Sequence, residues 1–101
     1  MLRGTTPTVT LTLPEDIDLS GATAAYMSFG QAETDLFDVD LARLTLSGNT
    51  ATATLTQAET LLLAAGIKTK IQLRWLKSGV AYGTRIVTVP TDAIIKDGVI
   101  T

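Results

Sequence analysis

Apolar and polar residues alternate with a period of two in several short stretches, and that period belongs to β-strands. In Thr8-Val9-Thr10-Leu11-Thr12-Leu13 the apolar set is Val9, Leu11 and Leu13, a row of threonines lies opposite, and Pro14 ends the ladder. Asp16 to Gly21 has the chemistry of a loop. A second strand is expected over Ala24-Ala25-Tyr26-Met27-Ser28-Phe29, with Ala25, Met27 and Phe29 on one face. Glu33 to Asp40, acidic with Leu36, Phe37 and Val39 embedded, reads as a short edge strand.

Two hairpins can be tested by pairing arithmetic. Around Gly48-Asn49, a pair that tolerates positive φ, placing Ser47 opposite Thr50 sets Leu46 against Ala51 and Leu44 against Ala53. Every apolar residue then meets an apolar partner. Around Ser78-Gly79, Lys77 would face Val80, Trp75 would face Tyr82, Leu73 would face Thr84 and Ile71 would face Ile86. That register puts Lys70, Gln72, Arg74 and Arg85 together on the opposite, polar face, strands Val87 there as well, and makes this hairpin the expected centre of the core.

One helix signal lies between the hairpins. Thr56 as N-cap with Glu59 three residues later forms a capping box, Leu61-Leu62-Leu63-Ala64-Ala65 follows, and Gly66 is the stop, which predicts a helix over about residues 57–65. So short a helix must be held by packing, and bridging two sheets across an open end is its expected place. After Pro90, the segment to Ile100 fits either a helical turn or a final strand. Short strands, hairpins and a single helix, without a β-α-β rhythm, predict an all-β fold: one antiparallel, immunoglobulin-like β-sandwich domain over residues 1–101.

Composition narrows the chemistry. The chain has 101 residues, 46% of them apolar, and no Cys or His, which removes disulfides, zinc fingers, thiol nucleophiles and histidine general bases. No stretch approaches the length of a bilayer span, and the first residues lack the apolar core of a secretory signal, so a soluble product made in the cytoplasm is expected. The net charge of −2 argues against a nucleic-acid partner. Its distribution is uneven: residues 1–59 hold eight acids and two bases, residues 60–101 six bases and two acids. The simpler reading is neutralisation between neighbouring elements, and the other is two poles that let identical subunits dock head to tail.

Each candidate site has a plain structural alternative. Asp35, Asp38 and Asp40, with Glu33, could offer carboxylates to calcium, but the spacing is not that of an EF-hand loop, and a charged edge that blocks strand pairing explains it more simply. The basic positions Lys70, Arg74 and Arg85 could meet an acidic partner, or form an ordinary solvated sheet face. Trp75 and Tyr82 could stack on a sugar, but their pairing favours the core. Ile94, Ile95, Val99 and Ile100 form either the last packed element, which is slightly favoured, or an apolar contact for a neighbour. No nucleophile elbow, phosphate loop or dinucleotide fingerprint is present, so no enzyme and no cofactor is expected.

Several segments together carry a resemblance: Arg3-Gly4-Thr5-Thr6-Pro7-Thr8 leading to Leu13-Pro14, Tyr26 to Gln31, Leu55 to Leu61, Ile71-Gln72-Leu73-Arg74, and Ile95-Lys96-Asp97-Gly98-Val99-Ile100. In this order they resemble small structural proteins encoded in prophages of Gram-positive gut bacteria, and more distantly the immunoglobulin-like N-terminal domain of phage baseplate upper proteins. The resemblance implies a virion component of the tail or baseplate region, with other virion proteins and its own copies as partners, found in the host cytoplasm during assembly and then in the virion. It transfers no site residues. A carbohydrate- or cell-surface-binding sandwich module is the alternative, and it requires an exposed aromatic in a shallow groove.

Overall fold

A computed structural model describes residues 1–101. The chain forms β1 (Thr8–Thr12), β2 (Ala24–Gln31), β3 (Thr34–Asp40), a 3₁₀ turn (Leu41–Arg43), β4 (Leu44–Ser47), β5 (Thr50–Thr54), α1 (Gln57–Leu61), β6 (Thr69–Lys77), β7 (Val80–Gly83) and β8 (Val87–Val89). It is an all-β sandwich of two antiparallel sheets. The smaller has strand order β1-β5-β4; the larger runs β3-β2-β6-β7, with β8 also paired to β6.

The period-two patterns decide which faces meet. Ala25, Met27 and Phe29 on β2, Ile71, Leu73 and Trp75 on β6, Val39 on β3, and Leu44, Ala51, Ala53 and Leu55 from the smaller sheet form one buried cluster, closed by Leu13 and Leu19. Phe29 and Phe37, directly opposite on β2 and β3, stack with ring centroids 4.8 Å apart. The Gly48-Asn49 hairpin has the expected register, Leu44 with Ala53 and Leu46 with Ala51. On the outer face of the smaller sheet, threonines pair across strands, Thr8 with Thr54 and Thr10 with Thr52, at 3.1 and 3.2 Å.

Three expectations are corrected. First, β7 pairs with β6 as far as Arg74 and Gly83, but Ile71 then faces Val87 rather than Ile86. The extra residue is taken up where the Thr84 hydroxyl accepts from the Leu73 amide and donates to the Arg85 carbonyl. A one-residue slip exchanges faces. Val87 therefore lies on the inner side and Ile86 on the outer, and the centre of the core is the β2–β6 pair, since every residue of β7 is exposed.

Second, the capping box forms as expected, Thr56 accepting from the Glu59 amide, but α1 ends at Leu61, four residues before the expected limit. The next backbone groups find other partners. Leu63 N–H bonds Thr60 O in a tighter turn, Arg3 donates to the carbonyls of Leu61 and Leu63, and the Gln31 side chain takes Ala64 N–H. The helix still carries the chain from the smaller sheet to the larger.

Third, the segment after Pro90 is neither helix nor strand. It holds one isolated bridge, Leu2 with Asp92, and the slightly favoured packing is met only by Ile94. Ile95, Val99 and Ile100 are exposed, although the Gln57 amide pairs with both backbone groups of Ile100.

Candidate functional site

The outer face of the larger sheet gathers most of the charge that the sequence singled out. Outward positions on β2 are Tyr26, Ser28 and Gly30, and each has an aspartate beside it on β3: Asp40, Asp38 and Asp35. On the other side β6 contributes Arg74, Gln72 and Lys70 at the same levels. An acidic edge and a basic strand thus flank a neutral floor, about one strand spacing away on each side.

Asp35 joins this face because of a bulge. It stands three positions before Asp38, an odd offset that would ordinarily turn it inward, but the register shifts between Phe29 and Gly30 and restores it. A side chain at Gly30 would not fit, since a Cβ there would lie 2.5 Å from the Thr34 carbonyl oxygen. Desolvation and the neighbouring Asp38 carboxyl push the Asp35 carboxyl above its usual range.

Two adjoining grooves lie on this face. One of about 430 Å³ is lined by Tyr26, Asp35, Asp38 and Arg74, and a second of about 530 Å³ by Gly30, Asp35, Lys70, Gln72, Arg74 and Ile86. Tyr26 is 51% exposed. None of Asp35, Asp38, Asp40, Lys70 or Arg74 enters an ion pair within the chain, whose three pairs lie elsewhere: Met1 with Asp92, Arg3 with Asp97 and Arg43 with Glu59.

The other candidates fall outside this constellation. Arg85, expected beside Lys70 and Arg74, is carried by the slip to the mouth between the sheets, near Leu11, Pro14 and Val87. No three carboxylates converge to hold a metal ion on this face, although the bulge brings the Asp35 and Asp38 carboxyls side by side. Trp75 is buried as expected, while Tyr82, stacked on it at 5.4 Å, is half exposed. Ile95, Val99 and Ile100 are exposed away from this face, Ile100 beside Gln57 of α1.

Sequence reasoning missed a second polar constellation. Gln31, Thr60, Thr69 and Thr91 are the buried polar residues, and every buried side-chain polar atom is bonded. Gln31 donates to Ala64 O at 2.8 Å and accepts from Ala64 N–H at 2.7 Å; Thr69 and Thr91 share a 2.6 Å bond; Thr60 donates to Thr5 O at 2.9 Å. These bonds latch α1, both chain ends and the start of β6 to the sandwich. The available signal was Gln31 standing at the next inward position after Ala25, Met27 and Phe29.

Fold and face together define a small β-sandwich whose larger sheet presents separated acidic and basic stripes. No helix is long and apolar enough to cross a membrane. No protein-family model, curated protein or solved structure matches the chain.

Proposed function

We propose that the chain is a non-enzymatic structural or assembly protein of a phage or prophage virion, of the tail or baseplate region, acting by association with other virion proteins and with its own copies. The observation that carries this reading is the set of opposite charges on the outer face of the larger sheet, held apart and unpaired within the chain. Charges arranged so give specificity and faster encounter to a complementary protein surface. The ordered segments from Arg3 to Ile100 that resemble small prophage proteins supply the virion context. Quantitative mass spectrometry of purified particles from cells encoding the chain tests it. The chain is expected at a fixed ratio to the tail proteins, and its absence from intact particles overturns the proposal.

One observation favours a second reading, a carbohydrate- or cell-surface-binding module. Tyr26 offers an exposed ring in a shallow groove, with Asp38 and Arg74 near enough to bond sugar hydroxyls. A glycan-array screen followed by titration of any hit against wild type and Tyr26→Ala decides it: this reading expects binding that the variant loses, and an array without a hit removes it.

A further inference from the structure

The larger sheet has two free edges of opposite character. At β3, the exposed aspartates Asp35, Asp38 and Asp40 line the outer face. At β7, the run from Gly79 to Thr84 carries no charge and no proline, and Val80 and Tyr82 are 49% and 45% exposed. Over this second edge lies Arg74, whose Cγ would sit 3.6 Å from a Cβ on its cross-strand partner Gly83. With only Ala81 and Gly83 outward on β7, nothing on that strand screens the guanidinium from the edge.

We infer that identical chains join head to tail, the β3 edge of one against the β7 edge of the next, so that the sheet continues from subunit to subunit. The inference rests on the assembly reading and names its self-contact. Direction agrees: β3 is antiparallel to β2, β2 to β6 and β6 to β7, so β3 and β7 run in opposite directions, and a translation across the sheet makes an antiparallel pair once it includes a shift along the strands, because Asp40 alone of β3 stands level with β7, at Gly83. The backbone agrees as well. Thr84 N–H bonds Leu73 O, and the alternation of an antiparallel ladder then turns the amides and carbonyls of Gly83 and Ala81 outward, where β6 does not use them.

Charge selects this pairing over its rivals. Two β3 edges together would oppose six aspartates, and two β7 edges would bring one Arg74 toward another, whereas β3 against β7 sets the acidic row beside the arginine on the same face. The contact is heterologous and does not close on itself in pairs, so it builds rings or filaments. Its usable edge is the four residues of β7, so each contact is weak and assembly depends on concentration.

Two single-edge variants test the inference by sedimentation velocity across a concentration series. Ala81→Pro removes an outward amide from β7 and leaves the internal ladder intact; Asp35→Lys/Asp38→Lys reverses the β3 edge. Wild type is expected to pass beyond the dimer as concentration rises and to return toward monomer in 1 M salt, where screening acts within about 3 Å. Each variant alone is expected to stay monomeric, and an equimolar mixture to form a heterodimer that grows no further. If the proline variant does not fold, Arg74→Glu replaces it, and mixing then restores the wild-type distribution. A wild type that is monomeric throughout, a wild-type dimer that stops at two, or continued growth of either variant alone overturns the inference. Chains that are monomeric yet present in purified particles would sink this contact while sparing the assembly reading.

Discussion

Replacing Gln31 with Leu isolates the latch at the α1 end of the sandwich. Leu has nearly the volume of Gln, so packing at this 7% exposed position is retained while the amide's bonds are lost. These are the acceptor for Ala64 N–H at 2.7 Å and the donors to Ala64 O at 2.8 Å, Ile67 O at 3.2 Å and, at the longer distance of 3.4 Å, the Thr91 hydroxyl. Ala64 and Ile67 are themselves exposed, so water can take over part of what their backbone groups lose. At about 0.5–1.5 kcal/mol net for each of the three shorter bonds, the loss sums to about 2–4 kcal/mol. For a domain of this size that is a fall in Tm of about 10–25 °C. Urea unfolding read by the fluorescence of Trp75, the one tryptophan and a core residue, measures it directly, with an unchanged m-value if only the native state is affected. Gln72→Leu is the control, since its amide makes one bond, to Thr84 O, and should cost about 1 kcal/mol or less. Equal losses in the two variants, or a loss below about 1 kcal/mol at Gln31, would refute the reasoning. Gln31→Glu adds a sign test. Its ionised carboxylate would face the Ala64 and Ile67 carbonyls, so this variant should regain stability as pH falls and the protonated acid becomes a donor.

Gly30→Ala should lower stability by about 1–3 kcal/mol in the same assay, because the new methyl meets the Thr34 carbonyl in a place where only backbone can move. Glu59 accepts twice from Arg43 at 2.7 Å, which, more than the Thr56 amide, holds its carboxyl below the usual range. Stability from that shift is fully present above the ordinary carboxylate pKa and is lost as pH falls through the lowered value, so the advantage of wild type over Glu59→Gln should shrink between pH 5 and pH 3 in thermal melts. Asp35 has the opposite sign: its raised carboxyl costs stability once ionised, so Asp35→Asn should melt slightly above wild type at pH 7 and lose that margin at pH 3.

Where neighbouring residues differ sharply in polarity, the fold is legible from sequence. Leu44-Thr45-Leu46 against Ala51-Thr52-Ala53 admits one register, because a slip of one would bury threonines and expose leucines. The same logic fails at Ile86-Val87, where two β-branched aliphatics stand side by side and either can face inward at equal cost. A side-chain hydroxyl, Thr84 on Leu73, settles the question, and no hydropathy pattern carries that information. The acidic face was half legible. Asp38 and Asp40 follow from alternation, but Asp35 reaches the face only through the bulge, whose one sequence signal is the glycine at position 30. The tail misled for a related reason. Its isoleucines and valine suit a core, yet after Pro90 the chain adds no strand to either sheet, and only Ile94 finds cover.

The free β7 edge is costly for an isolated chain. Edge strands in soluble proteins are commonly guarded by charge, proline or a bulge that turns the strand away, and β3 follows that rule with its aspartates. β7 does not, although guarding it would cost the core nothing: Val80 and Ala81 are exposed, and a lysine at either place would displace no buried atom. Tyr82 has a task within the chain, covering Trp75 beyond the reach of the smaller sheet, but that task needs an aromatic ring and not a run of uncharged neighbours. An unguarded strand beside the outward guanidinium of Arg74 on β6, on the same sheet as an edge strand guarded by aspartates, is therefore better explained by contact than by stability. The two edges are complementary in charge, opposite in direction and presented on one face, which is the minimum that a repeating sheet contact requires.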